Sequence, residues 1–203
     1  MKRILCFIAI FAAVPASWAW ATASEDIRIQ IVDQRGMPVR DAVVELAGDR
    51  THSGPIRFPW RMAVAQRNET FVPGTLIVPK GSTVAFPNLD RVRHSIYSFS
   101  KPARFEIELY GRDQTRSQNF PASGTVSIGC KIHDNMRGYL RVVETPFAGK
   151  TDANGYVTLS GVPTGNVSAT VWHPSLRGPN NERNGFLSIK PSQNVQRVTV
   201  TLR

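Results

Sequence analysis

The apolar stretches of this chain are short and broken at close intervals, and that limits its fold more than any other feature. Fourteen prolines and fifteen glycines are spread through 203 residues. Between them lie runs of four to eight residues rich in Val, Ile, Thr and Phe, too short for helices and well suited to strands. The pattern is sharpest where Ile27, Ile29 and Ile31 alternate with Arg28 and Gln30, the period of a half-buried strand. Strands are expected at 27–32, 42–46, 75–78, 83–86, 95–99, 104–109, 125–128, 139–143, 156–159, 167–172, 186–189 and 195–202. Such spacing predicts an all-β protein of sandwich or barrel type. A composition of 41% hydrophobic and 20% charged residues excludes disorder, collagen and coiled coil.

The start of the chain reads as a secretory leader. Met1-Lys2-Arg3 is followed by an apolar run to Val14 and by small residues at Ala21-Thr22-Ala23. That run is shorter than the ~18 residues a membrane span needs. Cleavage is expected after Ala23, with Ala19 as the alternative, and removing 23 residues from 203 leaves 180. The leader takes Lys2 and Arg3 with it, so 23 basic against 15 acidic residues leave a charge of +8. An exported basic protein is expected to meet a partner protein with an acidic docking surface or an anionic membrane surface, not nucleic acid.

Cysteine usage narrows the chemistry. Of two cysteines, Cys6 lies in the leader, which leaves Cys130 as the sole thiol of the mature chain. With no intramolecular disulfide available, a thiol in an oxidising compartment must be buried, paired between chains or bound to a metal.

Two separated pieces look related. Val32-Asp33, Gly36, Pro38-Val39 and Asp41-Ala42-Val43-Val44 come first; Thr151-Asp152, Gly155-Tyr156, Gly161-Val162-Pro163 and Val171-Trp172 come more than a hundred residues later. Together they resemble the carboxypeptidase regulatory-like β-sandwich module, whose first strands run directly into the Thr-Asp-x-x-Gly turn. That resemblance implies a split module at 24–53 and 148–203 with a second domain, 56–147, inserted in a loop. One continuous sandwich is the alternative.

The inserted stretch carries a candidate metal loop. Cys130, His133 and Met136 fall at i, i+3 and i+6, a set of soft and borderline ligands. Extended, the seven residues would span roughly 20 Å, so all three share an ion only if the loop curls, which Gly129, Asn135 and Gly138 permit. A copper ion held by two histidines and one cysteine, with a weak axial methionine, needs a further imidazole. His94, between two expected strands, is the candidate.

These residues resemble the cupredoxins, amicyanin and plastocyanin-like blue copper domains in particular. The match rests on Cys130-x-x-His133-x-x-Met136-Arg137-Gly138 leading into Val142-Val143-Glu144, and on Phe71-x-Pro73, Gly81-x-x-Val84-x-Phe86-x-Asn88 and His94. It implies a Greek-key β-sandwich, one copper per chain bound by His94, Cys130, His133 and Met136, and one-electron exchange with a redox partner protein. Ile132 and Asp134 stand where amicyanin-type loops carry prolines, and Ser95 stands where many cupredoxins carry an asparagine that ties the two ligand loops together. Asp134 would lower the potential of a metal there; Arg91, Arg93, Lys131 and Arg137 would raise it. The whole arrangement also resembles proteins labelled methylamine utilisation proteins.

Two other functions fit the same residues: copper storage or delivery without redox turnover, and a metal-free binding module in which Cys130 is merely buried. A multicopper enzyme is disfavoured, because only His52 and His173 remain after the first site. Those two are expected in structural or surface roles, and Trp60 and Trp172 in a core or interface.

Overall fold

The computed structural model describes residues 24–48, 54–191 and 195–203. The expected leader, its cleavage point and His52 lie outside them. Within the described residues the chain is all-β, with one 3-10 turn at Pro179–Asn181, and no helix is long and apolar enough to cross a membrane.

Strands β1 (Ser24–Val32) and β2 (Val43–Ala47) open the chain. Nine strands follow: β3 (Ala65–Arg67), β4 (Thr70–Val72), β5 (Thr75–Pro79), β6 (Ser82–Pro87), β7 (His94–Ser98), β8 (Phe105–Tyr110), β9 (Thr115–Phe120), β10 (Gly124–Gly129) and β11 (Arg137–Val143). The chain closes with β12 (Ala148–Lys150), β13 (Tyr156–Pro163), β14 (Gly165–Trp172), β15 (Glu182–Ile189) and β16 (Val195–Thr199). Strands β3, β4, β9 and β12 were not among the expected ones, and β15 starts four residues before the expected 186.

Pairing sorts the strands into two groups. Strand β1 lies between antiparallel β13 and parallel β16, and β2 lies between β12 and β14, which β15 extends. The middle strands form a five-stranded sheet in the order β5-β11-β10-β7-β8, faced by β6 paired with β9 and by the β3–β4 hairpin. Bridges Ala63↔Ala85 and Gln66↔Asn88 join that hairpin to β6. Among the described residues no strand of one group pairs with a strand of the other.

Each group buries its own apolar face. Ile27, Ile29 and Ile31 point inward as their alternation requires and pack with Leu46, Val157, Leu159 and Val171. Burying each such side chain is worth about 1.5–3 kcal/mol. A second cluster of Val84, Phe86, Ile96, Phe120, Val126 and Leu140 includes Cys130 and Met136.

Thr151 closes the first group across a long separation. Its hydroxyl donates to Val39 O at 2.7 Å and accepts from Ala42 N at 2.9 Å. The next residue, Asp152, accepts the amides of Asn154 and Tyr156 through one carboxylate oxygen, and Gly155 turns the chain at φ 74°.

Between the groups lies a third cluster of Val43, Ile77, Val143, Ala148 and Trp172, covered by Phe58, Trp60 and Tyr139. Trp172 meets Tyr139 edge to face, and Trp60 stacks on Phe58 and donates its indole N–H to Ile77 O. Beside this apolar seam, Arg141 of β11 is ion-paired with Glu45 of β2 and Glu182 of β15.

Candidate metal centre

The loop between β10 and β11 brings three of the expected ligands to one end of the middle sandwich. Gly129 ends β10 under the ring of Tyr97; a Cβ there would lie 2.8 Å from that ring, so the close approach needs glycine. Past Cys130 the chain bends back, with Met136 N donating to His133 O at 3.0 Å. At the loop's far end a Cβ on Gly138 would press on Phe71 and Ile128 at 3.1–3.2 Å. The loop therefore enters and leaves through tight packing.

His94 begins β7, and its side chain is fully buried. Its Nδ1 lies 3.7 Å from Cys130 Sγ, and His133 Nδ1 lies 3.8 Å from the same sulfur. The three ligand atoms fall within 4.8 Å of one another, and they form the one such cluster of His, Cys, Asp and Glu among the described residues. The imidazoles are tilted, with centroids 4.9 Å apart. Cys130 is 4% exposed, Met136 is buried in the same core, and the His133 side chain is 22% exposed.

These separations can be compared with what an ion requires. With metal–sulfur and metal–nitrogen bonds of about 2.3 and 2.0 Å, a trigonal arrangement spaces sulfur and nitrogen by about 3.7 Å. Both sulfur–nitrogen separations therefore fit a trigonal ion held by Cys130 and the two imidazoles, and thiolate and imidazole are donors that suit copper.

The remaining nitrogen of His94 settles its tautomer. Nε2 lies 2.8 Å from Asp90 Oδ2. A carboxylate only accepts, so Nε2 carries a proton, and in the neutral ring Nδ1 turns a lone pair toward Cys130. Asp90 also accepts from Asn68 N at 2.5 Å and Glu69 N at 3.0 Å. Burial alone would push its carboxyl up, but the hydrogen bonds from Glu69, His94 and Asn68 outweigh that and hold it below the usual carboxylate range. Asn88 completes the support, accepting from Asp90 N and donating to Val92 O and Tyr110 O.

Sequence reasoning singled out neither Asp90 nor Glu69. The signal it passed over was Asp90 four residues before His94, in the one loop that had to be held. Ser95 does tie the ligand loops, accepting from Lys131 N at 3.3 Å. The carboxylate facing His133 is Glu69, with Oε2 3.8 Å from Nε2. Of the basic residues flanking the loops, Lys131 is ion-paired with Glu106 and Arg93 donates to Leu109 O, while Arg91 and Arg137 are exposed. His173 stands apart in the β14 region, accepts from Ser175 N, and is held below its ordinary pKa by burial.

No family model and no curated protein matches the chain. Among solved structures it is similar to a mutant amicyanin in the oxidized state, at 23% identity over 41% of this chain and 82% of that one, with a TM-score of 0.39. It is also similar to a purple cupredoxin from Nitrosopumilus maritimus, at 20% identity over 40% of this chain and 98% of that one, TM-score 0.37. A copper-containing nitrite reductase from Thermus scotoductus SA-01 aligns at 26% identity over 46% of this chain and 25% of that one, TM-score 0.40.

Proposed function

We propose that this chain is an exported mononuclear copper protein that carries single electrons through a centre formed by His94, Cys130, His133 and Met136. The observation that carries the reading is the pair of sulfur–nitrogen separations, 3.7 and 3.8 Å, with His94 already held in the ligating tautomer by Asp90. A bound copper ion would supply the one-electron couple. The chain's part is to hold its ligands in place: His94, Cys130 and Met136 are buried among strands of the sandwich and shielded from water, and the less buried His133 gives the site its edge. Small movement of such ligands between oxidation states favours electron transfer over chemistry on a substrate.

Residues 24–53 and 148–203 are read as one split β-sandwich, a reading supported by the pairing of β1 with β13 and β16 and of β2 with β12 and β14. A partner with an acidic docking surface would meet Arg91 and Arg137 before Lys131, whose charge is engaged by Glu106.

Anaerobic titration with Cu(II) tests the proposal. The mature protein should take up one equivalent and develop an intense visible thiolate-to-copper band that is reversibly bleached on reduction. Cys130→Ser should lose the band; Met136→Leu should keep it and raise the potential, since an axial thioether tunes such a site more than it holds it. A colourless copper-loaded protein, or a coloured Cys130→Ser variant, would refute the reading. A band that cannot be reduced reversibly would favour storage.

A further inference from the structure

The β3–β4 hairpin turns on Asn68 and Glu69 alone, with Arg67 paired to Thr70. Both residues have positive φ, 51° and 55°. Such a two-residue turn favours Asn-Gly, because the second position asks for a conformation that a side chain makes costly. Asn68 suits its place; Glu69 stands where glycine would be relaxed. Strain of this kind persists where the surroundings enforce it and is a pointer to function.

The surroundings here are the candidate metal centre. The amide of Glu69 donates to Asp90 Oδ2, the oxygen that also accepts from His94. Its carboxylate, 59% exposed, faces Nε2 of His133 at 3.8 Å, a separation longer than a direct hydrogen bond that leaves the carboxylate as the acidic group facing that nitrogen. One strained residue thus touches the support of the buried imidazole through its backbone and faces the outward imidazole through its side chain.

We infer that Glu69 is a positioning residue for His133, holding its outward nitrogen so that Nδ1 stays aimed at Cys130. The role rests on the copper reading above. It also gives the rim of the site a fixed negative charge that favours Cu(II) over Cu(I).

The test uses the full mature chain loaded with copper, comparing wild type with Glu69→Gln and Glu69→Gly. Removing the charge should lower the preference for Cu(II) over Cu(I) about three- to tenfold in both variants, where tenfold is ~59 mV in a one-electron couple. Copper release to excess chelator should quicken several-fold in Glu69→Gly and stay near wild type in Glu69→Gln, which keeps an acceptor for Nε2. Relief of the left-handed strain should raise the melting temperature of metal-free Glu69→Gly, so misfolding does not stand in for the effect. If both variants keep the wild-type potential and release rate while glycine raises the melting temperature, Glu69 serves the turn alone and the inference is wrong. Wild-type protein without a thiolate band overturns the copper reading and this inference together; a wild-type band whose potential and release rate are unchanged in both variants overturns only this one.

Discussion

Asp90 Oδ2 lies 2.8 Å from His94 Nε2 and 3.0 Å from the amide nitrogen of Glu69, so one carboxylate oxygen joins a buried imidazole to a hairpin 21 residues upstream. Second partners of this kind fix the tautomer and orientation of a ligating histidine, and losing them costs about 10–100-fold in metal affinity. Asp90→Asn should weaken copper binding by that order in a chelator competition, and Asp90→Ala by more, because it leaves three donors unmet. Copper affinity unchanged in both variants would show that packing alone orients His94. The metal-free protein offers a separate readout. The folded-state carboxyl is held below its unfolded value of 3.8, so its contribution to stability is present above that pH and is lost as pH falls through the depressed folded value. The stability gap between wild type and Asp90→Asn should therefore be open at pH 6 and shrink below about pH 4, as followed by urea unfolding.

Gly155 sits in the turn between β12 and β13, where the second piece of the outer strand group packs on β1 of the first. Its φ is +74°, and a Cβ there would lie 2.4 Å from the carbonyl oxygen of Ile31. That oxygen belongs to β1, and Ile31 N in turn donates to Gly155 O at 2.8 Å, so neither side can yield without opening the strand edge. Gly155→Ala should cost at least about 1–3 kcal/mol in chemical unfolding. The copper band of the folded fraction should stay as in wild type, since the lesion lies in the other strand group. Unchanged stability would mean that the turn relaxes freely.

The parts of this molecule written in local pattern were legible from its sequence. Strand β1 announces itself because Ile27, Ile29 and Ile31 must all face one core. Strand β9, Thr115–Phe120, gives no such signal: it is mostly exposed and buries only Phe120, so its sequence reads as a loop although its backbone pairs along all of β6. The polar start of β15 was missed for the same reason. Within the site, Cys130, His133 and Met136 stand out because soft donors are rare and close together. Asp90 and Glu69 do not, since surface-type carboxylates are common and these two gain their roles only when a hairpin tip folds against the loop that carries His94.

Arg141 binds the two strand groups together, and its removal should expose how much that junction depends on charge. Its side chain is 6% exposed; it is ion-paired with Glu45, donates to Glu182 Oε1 at 2.5 Å and reaches Thr125 Oγ1 at 2.8 Å. Burial pushes the Glu45 carboxyl up, and Arg141 offsets this only in part, so it stays above its ordinary value of 4.5. Arg141→Met fits the space but strands two largely buried carboxylates, at a cost of about 3–5 kcal/mol near pH 7. A carboxyl raised in the folded state takes up its proton there before the unfolded chain does, so folding gains as pH falls toward the unfolded value. The deficit of Arg141→Met should accordingly narrow between pH 7.5 and 5 in urea unfolding. Replacing Glu45 and Glu182 with leucine in the same variant should recover most of the loss at pH 7.5, since apolar groups of similar size satisfy a buried site as well as an ion pair does. A deficit equal at both pH values, and not recovered by the leucines, would show that Arg141 matters through the shape of its stem and not through the charges it holds.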